Sequence, residues 1–231
     1  MQIHGFNKST LLDYPKHLAA TIFLGGCNLR CPFCQNASLV LRPGSQPLHP
    51  EEEVLAYLKK RVHILEAVCI TGGEPTLYPE LPVFLHKIKA LGYKIKLDTN
   101  GLNPSMVNNL ISSQLIDYVA MDIKNSPEHY PVTAGAPELD LGPIQETADM
   151  LINGSLDYEF RTTVVRELHS EEDMHSIGRW LNGAKAYFLQ SFQDSGDILS
   201  PGLSAPGKDA LLRFQFILST YLDNVSIRGI D

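Results

Sequence analysis

The chain has 231 residues, of which 44% are hydrophobic and 19% charged, and this length allows one domain with a sizeable core, which we place at residues 1–231. Its formal net charge of −7 argues against general binding to nucleic-acid phosphates, since such binding needs a surplus of Lys and Arg. The first 20 residues carry charges and one proline without a long apolar run. We therefore expect a cytoplasmic protein without a membrane anchor.

Apolar runs of strand length alternate with amphipathic segments from about residue 18 onward. Such alternation predicts right-handed βαβ units and a parallel sheet, either open and doubly wound or curved into a barrel. The last predicted strand has the weakest pattern. The predicted strands are 20–24, 66–70, 93–97, 116–121, 158–165, 185–189 and 225–230.

Three of the intervening helices carry clear terminal signals. The segment 50–62 begins with a proline and three glutamates and ends with basic residues, so its charges complement the helix dipole. The segment 79–91 places apolar residues on one face and stops at Gly92. Ser170 and Asp173 predict a capping box that opens a further helix.

Polar residues follow the carboxyl ends of five predicted strands. In a barrel these ends form one face, where active sites assemble, whereas in an open sheet they would spread along an edge. A full or partial (β/α) barrel is therefore the predicted architecture. The polar groups are the cysteines after the first strand, residues 71–75 after the second, 98–101 at the end of the third, Asp122 and Lys124 after the fourth, and Gln190 after the sixth.

Three of the four cysteines, Cys27, Cys31 and Cys34, lie in one short segment. A cubane iron-sulfur cluster normally takes four cysteine thiolates, so three thiolates leave one iron open to an exogenous ligand. The alternative is a zinc site or an electron-transfer cluster completed by Cys69 or a histidine, although zinc sites favour paired Cys-x2-Cys motifs. Cys69 lies in an apolar strand, where a cysteine commonly serves as a small core residue.

Residues near the cysteines could approach a ligand on the open iron. Gly72 and Gly73 offer backbone groups without steric hindrance, and Glu74 adds charge beside them. Phe33 lies between two cysteines, where it either covers the cluster or stacks on an aromatic ligand.

Two carboxylates, Asp98 and Asp122, follow apolar strands that should be buried. Burying a carboxylate is costly unless it is paired or bound to a cation, so Lys124, a ligand amine or a metal ion must offset the charge. The simplest alternative to ligand binding is a structural ion pair between Lys124 and either aspartate.

Two long segments, 125–141 and 191–207, are rich in Pro, Gly and Ser and follow the fourth and sixth predicted strands. Both should lie on the face that carries the polar groups. They serve either as functional lids or docking surfaces, or as plain connections.

The spacing Cys27-x3-Cys31-x2-Cys34, with an aromatic residue before the last cysteine and Gly-Gly-Glu-Pro at 72–75, resembles the radical S-adenosylmethionine (radical SAM) enzymes. The wider context at residues 5–15, 97–101 and 121–124 is similar to the glycyl-radical-activating branch. The likeness is strongest to anaerobic ribonucleoside-triphosphate reductase activating proteins and extends to pyruvate formate-lyase activating enzymes.

This resemblance implies a partial (β/α)6 TIM-like barrel, with 225–230 as an extra C-terminal strand, and a [4Fe-4S] cluster on Cys27, Cys31 and Cys34. It also implies an anaerobic oxidoreductase that reductively cleaves S-adenosylmethionine to a 5′-deoxyadenosyl radical. The radical would generate a glycyl radical on a partner such as anaerobic ribonucleotide reductase, with electrons from a low-potential donor such as flavodoxin or ferredoxin. The alternatives are a radical SAM enzyme of the modified-base synthase type, acting on a small molecule or peptide, and a non-catalytic iron-sulfur module.

The same resemblance assigns residues to S-adenosylmethionine. Gly73 and Glu74 would hold its methionyl amine, and Asp98 and Lys124 its methionyl end, while Asp122 would join Asp98 around a monovalent cation. The further cofactor-binding candidates are Phe33, Gly72, Thr99 and Gln190.

Two features of the sequence depart from these relatives, and the first of them suggests a different partner or product. The pyruvate formate-lyase activators carry a histidine in a Leu-Pro-Phe-His loop after the sixth strand, whereas residues 189–194 here read Leu-Gln-Ser-Phe-Gln-Asp. With only one cysteine outside the motif, an additional ferredoxin-type cluster cannot be built.

Overall fold

A computed structural model describes residues 1–229 and divides into two compact units. The first unit consists of Met1–Asn28 and Ser38–Ala120, and the second of Leu29–Ala37 and Met121–Asp231. The cysteine segment is shared between them, because Cys27 belongs to the first unit while Cys31 and Cys34 belong to the second. That residues 1–231 form a single domain stays a prediction.

Four strands form the sheet of the first unit. β1 is antiparallel to β2, whereas β2, β3 and β4 run parallel to one another. In the register of the last pair, Cys69 lies opposite Lys96. The elements are β1 (Ile3–Thr10), β2 (Ala19–Leu24), β3 (Ala67–Gly72) and β4 (Lys94–Thr99), with α1 (Ala37–Leu41), which starts at the unit boundary, α2 (Glu51–Arg61), α3 (Leu81–Lys89) and α4 (Pro104–Ser112).

The second unit again alternates strands and helices. β6, β7 and β8 are parallel, and β5 begins in the first unit and ends in the second. The predicted capping box is confirmed, because Ser170 and Asp173 exchange side-chain to backbone bonds at the start of α7. The elements are β5 (Tyr118–Asp122), β6 (Asp157–Val164), β7 (Tyr187–Ser191) and β8 (Val225–Arg228), with α5 (Tyr130–Thr133), α6 (Gly142–Asn153), α7 (Glu171–Trp180) and α8 (Lys208–Leu218).

The strand order in the sheet is β1 to β8, the same as the order along the chain. The predicted α/β class with a mostly parallel sheet is thereby confirmed, and this order is the one that a (β/α) barrel requires. Each of the seven predicted strands corresponds to an observed strand. In the last of them, Ile230 lies outside the described residues.

β1 is the strand that the sequence did not predict. Its first two residues are buried, but its second half is exposed and polar, so it lacks the continuous apolar run that identifies the parallel strands. It forms an antiparallel edge with two irregularities in register. A half-exposed edge strand of this kind has no clear period in the sequence.

Continuous apolar runs account for the buried strands. The first four residues of β3 are buried on both faces, as expected for a parallel strand covered by helices. α3 contributes Leu81, Phe84, Leu85 and Ile88 to the core of the first unit. Among residues 1–229, none of the helices has both the length and the apolar character needed to cross a membrane.

Candidate functional site

The cysteine segment lies directly after β2. All four cysteines are thiols rather than disulfides, with Cys31 and Cys69 buried and Cys27 and Cys34 half-buried. In the second unit the Cys34 amide donates to the Cys31 carbonyl at 3.0 Å. Burial raises the pKa of the Cys34 thiol, while the positive charge of Lys124 acts in the opposite direction and favours the thiolate.

The long segment after β5 holds the cysteine segment through a close backbone approach in the second unit. The Arg30 amide donates to the Ala134 carbonyl at 3.0 Å. Gly135 has φ +64°, and a Cβ there would lie 2.0 Å from the Arg30 carbonyl oxygen. Position 135 therefore requires glycine for its backbone angle and for its contact.

The long segment after β7 holds the same residues from another direction within the second unit. The Ser200 amide donates to the Pro32 carbonyl at 2.9 Å, and the Ala37 amide to the Asp197 carbonyl at 3.3 Å. The Gln35 side chain donates to the Gln193 carbonyl at 2.6 Å. Both long segments thus position residues around Cys31 and Cys34, so they are more than plain connections.

Gly72 and Gly73 bring the end of β3 against the backbone just before Cys27. The Gly73 amide donates to Leu24 and the Glu74 amide to Gly26, each at 2.8 Å. A Cβ on Gly72 would lie 2.4 Å from the Leu24 carbonyl oxygen, and one on Gly73 would lie 1.8 Å from the Gly26 carbonyl oxygen. A side chain at either position would separate the two backbones.

Protein groups satisfy the Glu74 carboxylate. It is 1% exposed and accepts from the Thr76 amide at 3.0 Å, the Thr99 hydroxyl at 2.8 Å and the Asn100 amide at 2.7 Å. Burial raises its pKa, and these bonds oppose that effect. Since the amides of Gly73 and Glu74 donate to β2 and the residues after it, carbonyl groups are what this motif would offer to a ligand amine.

A residue directly after β4 forms a hydrogen bond with the residue next to Cys27. The Asn100 side chain donates to the Asn28 side chain at 2.8 Å, while Thr99 is turned toward Glu74. The sequence placed Thr99 among residues that touch a cofactor. In the structure its hydroxyl donates to Glu74 of the Gly-Gly-Glu motif, and its contact with a cofactor stays a prediction.

Lys96 was not predicted as a site residue, and its ammonium group lies beside Asp98. Its side chain is 2% exposed and forms an ion pair with Asp98. Its ammonium lies 3.9 Å from the Cys69 sulfur, which is 3.7 Å from an Asp98 oxygen. The sequence could have indicated this ion pair, because Lys96 and Asp98 are two residues apart and residues at that spacing in a strand share a face.

Asp122 forms an ion pair with Lys124 at 3.1 Å and with Arg161 at 2.9 Å. Burial raises the pKa of Asp122, but Arg161 and Lys124 outweigh this effect and lower the pKa to about 2. Burial disfavours the charged form of Lys124, yet Asp122 and Cys31 raise its pKa above its usual value. The ion pair offered as the simplest alternative for Asp122 is thus present, with Arg161 as an additional member.

Gln190, at the end of β7, lines a polar cavity of about 220 Å³ in the second unit. Gln35, directly after Cys34, lines the same cavity. Arg228 makes a bidentate ion pair with Glu159, with both contacts at 2.8 Å. The other lining residues are Thr163, Ser191, Gln193, Arg228 and Gly229.

Phe33, between Cys31 and Cys34, is 5% exposed. This burial suits a side chain that covers the cysteine segment.

The family model of the Radical SAM superfamily matches residues 21–172. The chain belongs to this superfamily. Radical SAM enzymes use a [4Fe-4S] cluster and S-adenosylmethionine, so these two predicted cofactors and the oxidoreductase class are confirmed at the level of the family. An ordinary zinc module is thereby set aside.

Two relatives in sequence have names that refer to different reactions. A protein of Methanocaldococcus jannaschii, provisionally named a glycyl-radical enzyme activating enzyme, is 31% identical over 99% of this chain and 96% of its own length. The 7-carboxy-7-deazaguanine synthase of Neisseria meningitidis serogroup B is 39% identical, but over 46% of this chain and 43% of its own.

Solved structures share the fold. Streptococcus suis SuiB, crystallised with its precursor peptide SuiA, superposes with a TM-score of 0.72 at 16% identity. The match covers 90% of this chain and 48% of SuiB, so the chain spans about half the length of that protein. At this identity the likeness concerns the fold alone.

The donor groups of this chain fit the cofactors of the family. Cys27 in the first unit and Cys31 and Cys34 in the second supply three thiols, and glycine backbone packs beside the first of them. Within neither unit do the described residues bring three or more His, Cys, Asp or Glu side chains into a preformed metal site.

Proposed function

We propose that this protein is a glycyl-radical enzyme activating enzyme. The observation that carries the proposal is the match to the Methanocaldococcus jannaschii relative over 99% of this chain and 96% of that protein. The match to 7-carboxy-7-deazaguanine synthase from Neisseria meningitidis covers less than half of either chain. The full-length match also includes residues outside 21–172, the part that the superfamily model matches.

In this proposal Cys27, Cys31 and Cys34 ligate the cluster, and the cluster with S-adenosylmethionine supplies a hydrogen-abstracting radical. Carbonyl groups of Gly73 and Glu74 accept from the methionyl amine. The fixed amides of these residues support that role, because their bonds to Leu24 and Gly26 orient the motif.

The cations beside Asp122 have a proposed role in binding the methionyl carboxylate. Lys124 and Arg161 both form ion pairs with Asp122, which places two cationic side chains side by side. Cationic side chains suit an anionic ligand group, since charge-assisted hydrogen bonds are roughly twice as strong as neutral ones. Asp122 in turn keeps both cations in fixed positions.

The cavity beside Gln35 has a proposed role in receiving the glycine-bearing segment of the partner. Gln35, Gln190 and Gln193 line it, and each carboxamide offers both donor and acceptor groups, as a peptide bond does. Hydrogen abstraction from glycine requires no protein acid or base. A polar cavity that aligns the main chain therefore supplies what the reaction demands of the protein.

A second candidate is a radical SAM enzyme that acts on a small molecule. The similarity to 7-carboxy-7-deazaguanine synthase favours it, as does a match to an S-adenosylmethionine-dependent nucleotide dehydratase from a Thermoplasmatales archaeon, 28% identical over 62% of this chain. In that case the same carboxamides would bind a heterocycle.

Three further parts of the proposal concern the setting of the enzyme. An external donor such as flavodoxin or ferredoxin supplies the electron. A reducing cytoplasm keeps the cysteines as thiols. Neither a nucleic acid nor a membrane takes part.

The test is anaerobic incubation of the reduced, cluster-loaded protein with S-adenosylmethionine and a panel of glycyl-radical enzymes, including anaerobic ribonucleotide reductase. We expect an electron paramagnetic resonance signal of a glycyl radical with one of them. Cys34→Ala should abolish both the cluster and the signal, whereas Cys69→Ala should retain the cluster. Product formation from a small molecule, with no radical on any partner, would support the second candidate instead.

A further inference from the structure

A fully buried lysine lies in the middle of a strand of the first unit. Lys96 is among the largest fully buried side chains of the described residues, with 2% of it exposed. Burial of an ammonium group is costly unless a counter-charge and hydrogen bonds are nearby. Packing alone therefore does not account for a lysine at this position.

The counter-charge is Asp98, which follows Lys96 by two residues and shares its face of β4. The Cys69 sulfur, opposite Lys96 in the register with β3, lies 3.9 Å from the ammonium and 3.7 Å from the Asp98 carboxylate. Lys96, Asp98 and Cys69 thus form one compact polar cluster on two neighbouring strands of the first unit.

This arrangement disagrees with the monovalent cation that the resemblance implies near Asp98. A monovalent metal ion would contribute one positive charge to the carboxylate. The Lys96 ammonium already contributes one positive charge, at ion-pair distance from the same carboxylate. In the second unit, Asp122 likewise faces Lys124 and Arg161.

We infer that Lys96 is a built-in cation that takes the place of a monovalent metal ion beside Asp98. It is a positioning residue, because it fixes the carboxylate and sets its charge, while Asp98 meets the methionyl end of S-adenosylmethionine. The inference rests on the proposed role of Asp98. It follows that this protein binds S-adenosylmethionine without any requirement for sodium or potassium ions.

The first experiment measures S-adenosylmethionine binding to the cluster-loaded protein in choline chloride and in potassium chloride at equal ionic strength. We expect the wild-type dissociation constant to agree within about twofold between the two salts. Lys96→Met should weaken binding at least tenfold in choline and recover most of it in potassium or methylammonium chloride. Cation-dependent binding by the wild type, or wild-type binding by Lys96→Met in choline, would overturn the inference.

The second experiment follows thermal unfolding of the full chain without S-adenosylmethionine in the same salts. Potassium or methylammonium should raise the unfolding midpoint of Lys96→Met and leave that of the wild type unchanged. The double variant Lys96→Met, Asp98→Asn should lose this response, because the buried carboxylate that attracts the cation is gone. Equal responses of the single and double variants would contradict the inference.

Lys94→Met is the matched control, since Lys94 lies on the same strand but is exposed. It should show no selective response to potassium in either experiment. The unfolding measurement needs neither S-adenosylmethionine nor a partner enzyme, so a failure here is distinguishable from a failure of glycyl-radical transfer.

Discussion

Asp98 in the first unit and Asp122 in the second occupy the same kind of position, at the end of a parallel strand, but their surroundings differ. Asp98 is matched by one ammonium group from its own strand, Lys96. Asp122 faces two cations, Lys124 and Arg161, and the latter comes from the neighbouring β6. Asp98 thus has a cationic partner two residues away on its own strand, whereas one of the partners of Asp122 comes from a different strand.

The two regions also differ in how their backbones are held. In the first unit, Glu74 joins the ends of β3 and β4 through bonds from Thr99 and Asn100. In the second unit, long segments hold the residues around Cys31 and Cys34 through main-chain contacts such as that of Gly135 with Arg30. The second region should therefore be the more sensitive to changes outside the strands.

The largest expected effect is that of Gly135→Ala. The new Cβ would lie 2.0 Å from the Arg30 carbonyl oxygen, so the cysteine segment must move. We expect most of the iron to be lost from reconstituted protein, measured as iron content and as absorbance of the cluster.

Gly196→Ala is the control for this prediction. Gly196 has φ +79°, but nothing lies within 4 Å of a Cβ placed there, so this variant tests the backbone angle alone. It should lose only about 1–2 kcal/mol of stability and keep its iron. Equal iron loss in both variants would show that the contact with Arg30 is unimportant.

Arg161→Leu should have the next largest effect. It removes a half-buried partner of Asp122, and we expect a loss of about 2–3 kcal/mol, below the roughly 3–5 kcal/mol that breaking a fully buried ion pair costs. Urea unfolding measures this change. The comparison variant is Arg213→Leu, which removes an exposed ion pair with Glu171 and should cost no more than about 1 kcal/mol. Similar losses in the two variants would contradict a special role for Asp122 and its cations.

Acid should weaken the second region through Asp122. Its pKa is lowered from 3.8 to about 2 in the folded protein, so its contribution to stability is complete above about pH 4 and is lost as the pH falls through 2. Allowing for partial exposure to solvent, this contribution is about 1–2 kcal/mol. In Asp122→Asn, the free energy of unfolding should fall less steeply between about pH 4 and pH 2. An unchanged slope would refute the low pKa.

The smallest expected effect lies in the first unit. Thr99→Val removes one hydroxyl bond to Glu74 and should cost about 1 kcal/mol in urea unfolding. Since the other bonds to Glu74 remain, cluster retention should not change. Loss of iron in this variant would mean that the first region is as dependent on single contacts as the second.

The strands of the parallel sheet could be predicted from the sequence because short continuous apolar runs are typical of strands that are buried on both faces. The capping box at Ser170 was equally local and was confirmed. β1 could not be predicted, since its second half is polar and pairs as an exposed antiparallel edge. The contacts between the long segments and the cysteine segment could not be predicted either, because they are main-chain hydrogen bonds between residues far apart in the chain.

Among the site residues, motif spacing identified the cysteines and Gly72, Gly73 and Glu74. The ion-pair partners of the charged side chains could be identified only from the structure. The sequence offered Lys124 as the partner of either aspartate. It is the partner of Asp122, whereas Asp98 pairs with Lys96. Arg161 was missed because it lies on the strand after the one that carries Asp122, and nothing in the spacing connects the two positions.

The central claim is that a radical formed at this site removes a hydrogen from glycine in a partner protein. The most direct measurement uses a glycyl-radical enzyme whose glycines carry deuterium at Cα, mixed anaerobically with the reduced, cluster-loaded protein and S-adenosylmethionine. The account predicts a glycyl radical in the partner and deuterium in the 5′-deoxyadenosine that is released. Deuterium-free 5′-deoxyadenosine and no radical with any glycyl-radical enzyme, together with turnover of a small molecule, would contradict it.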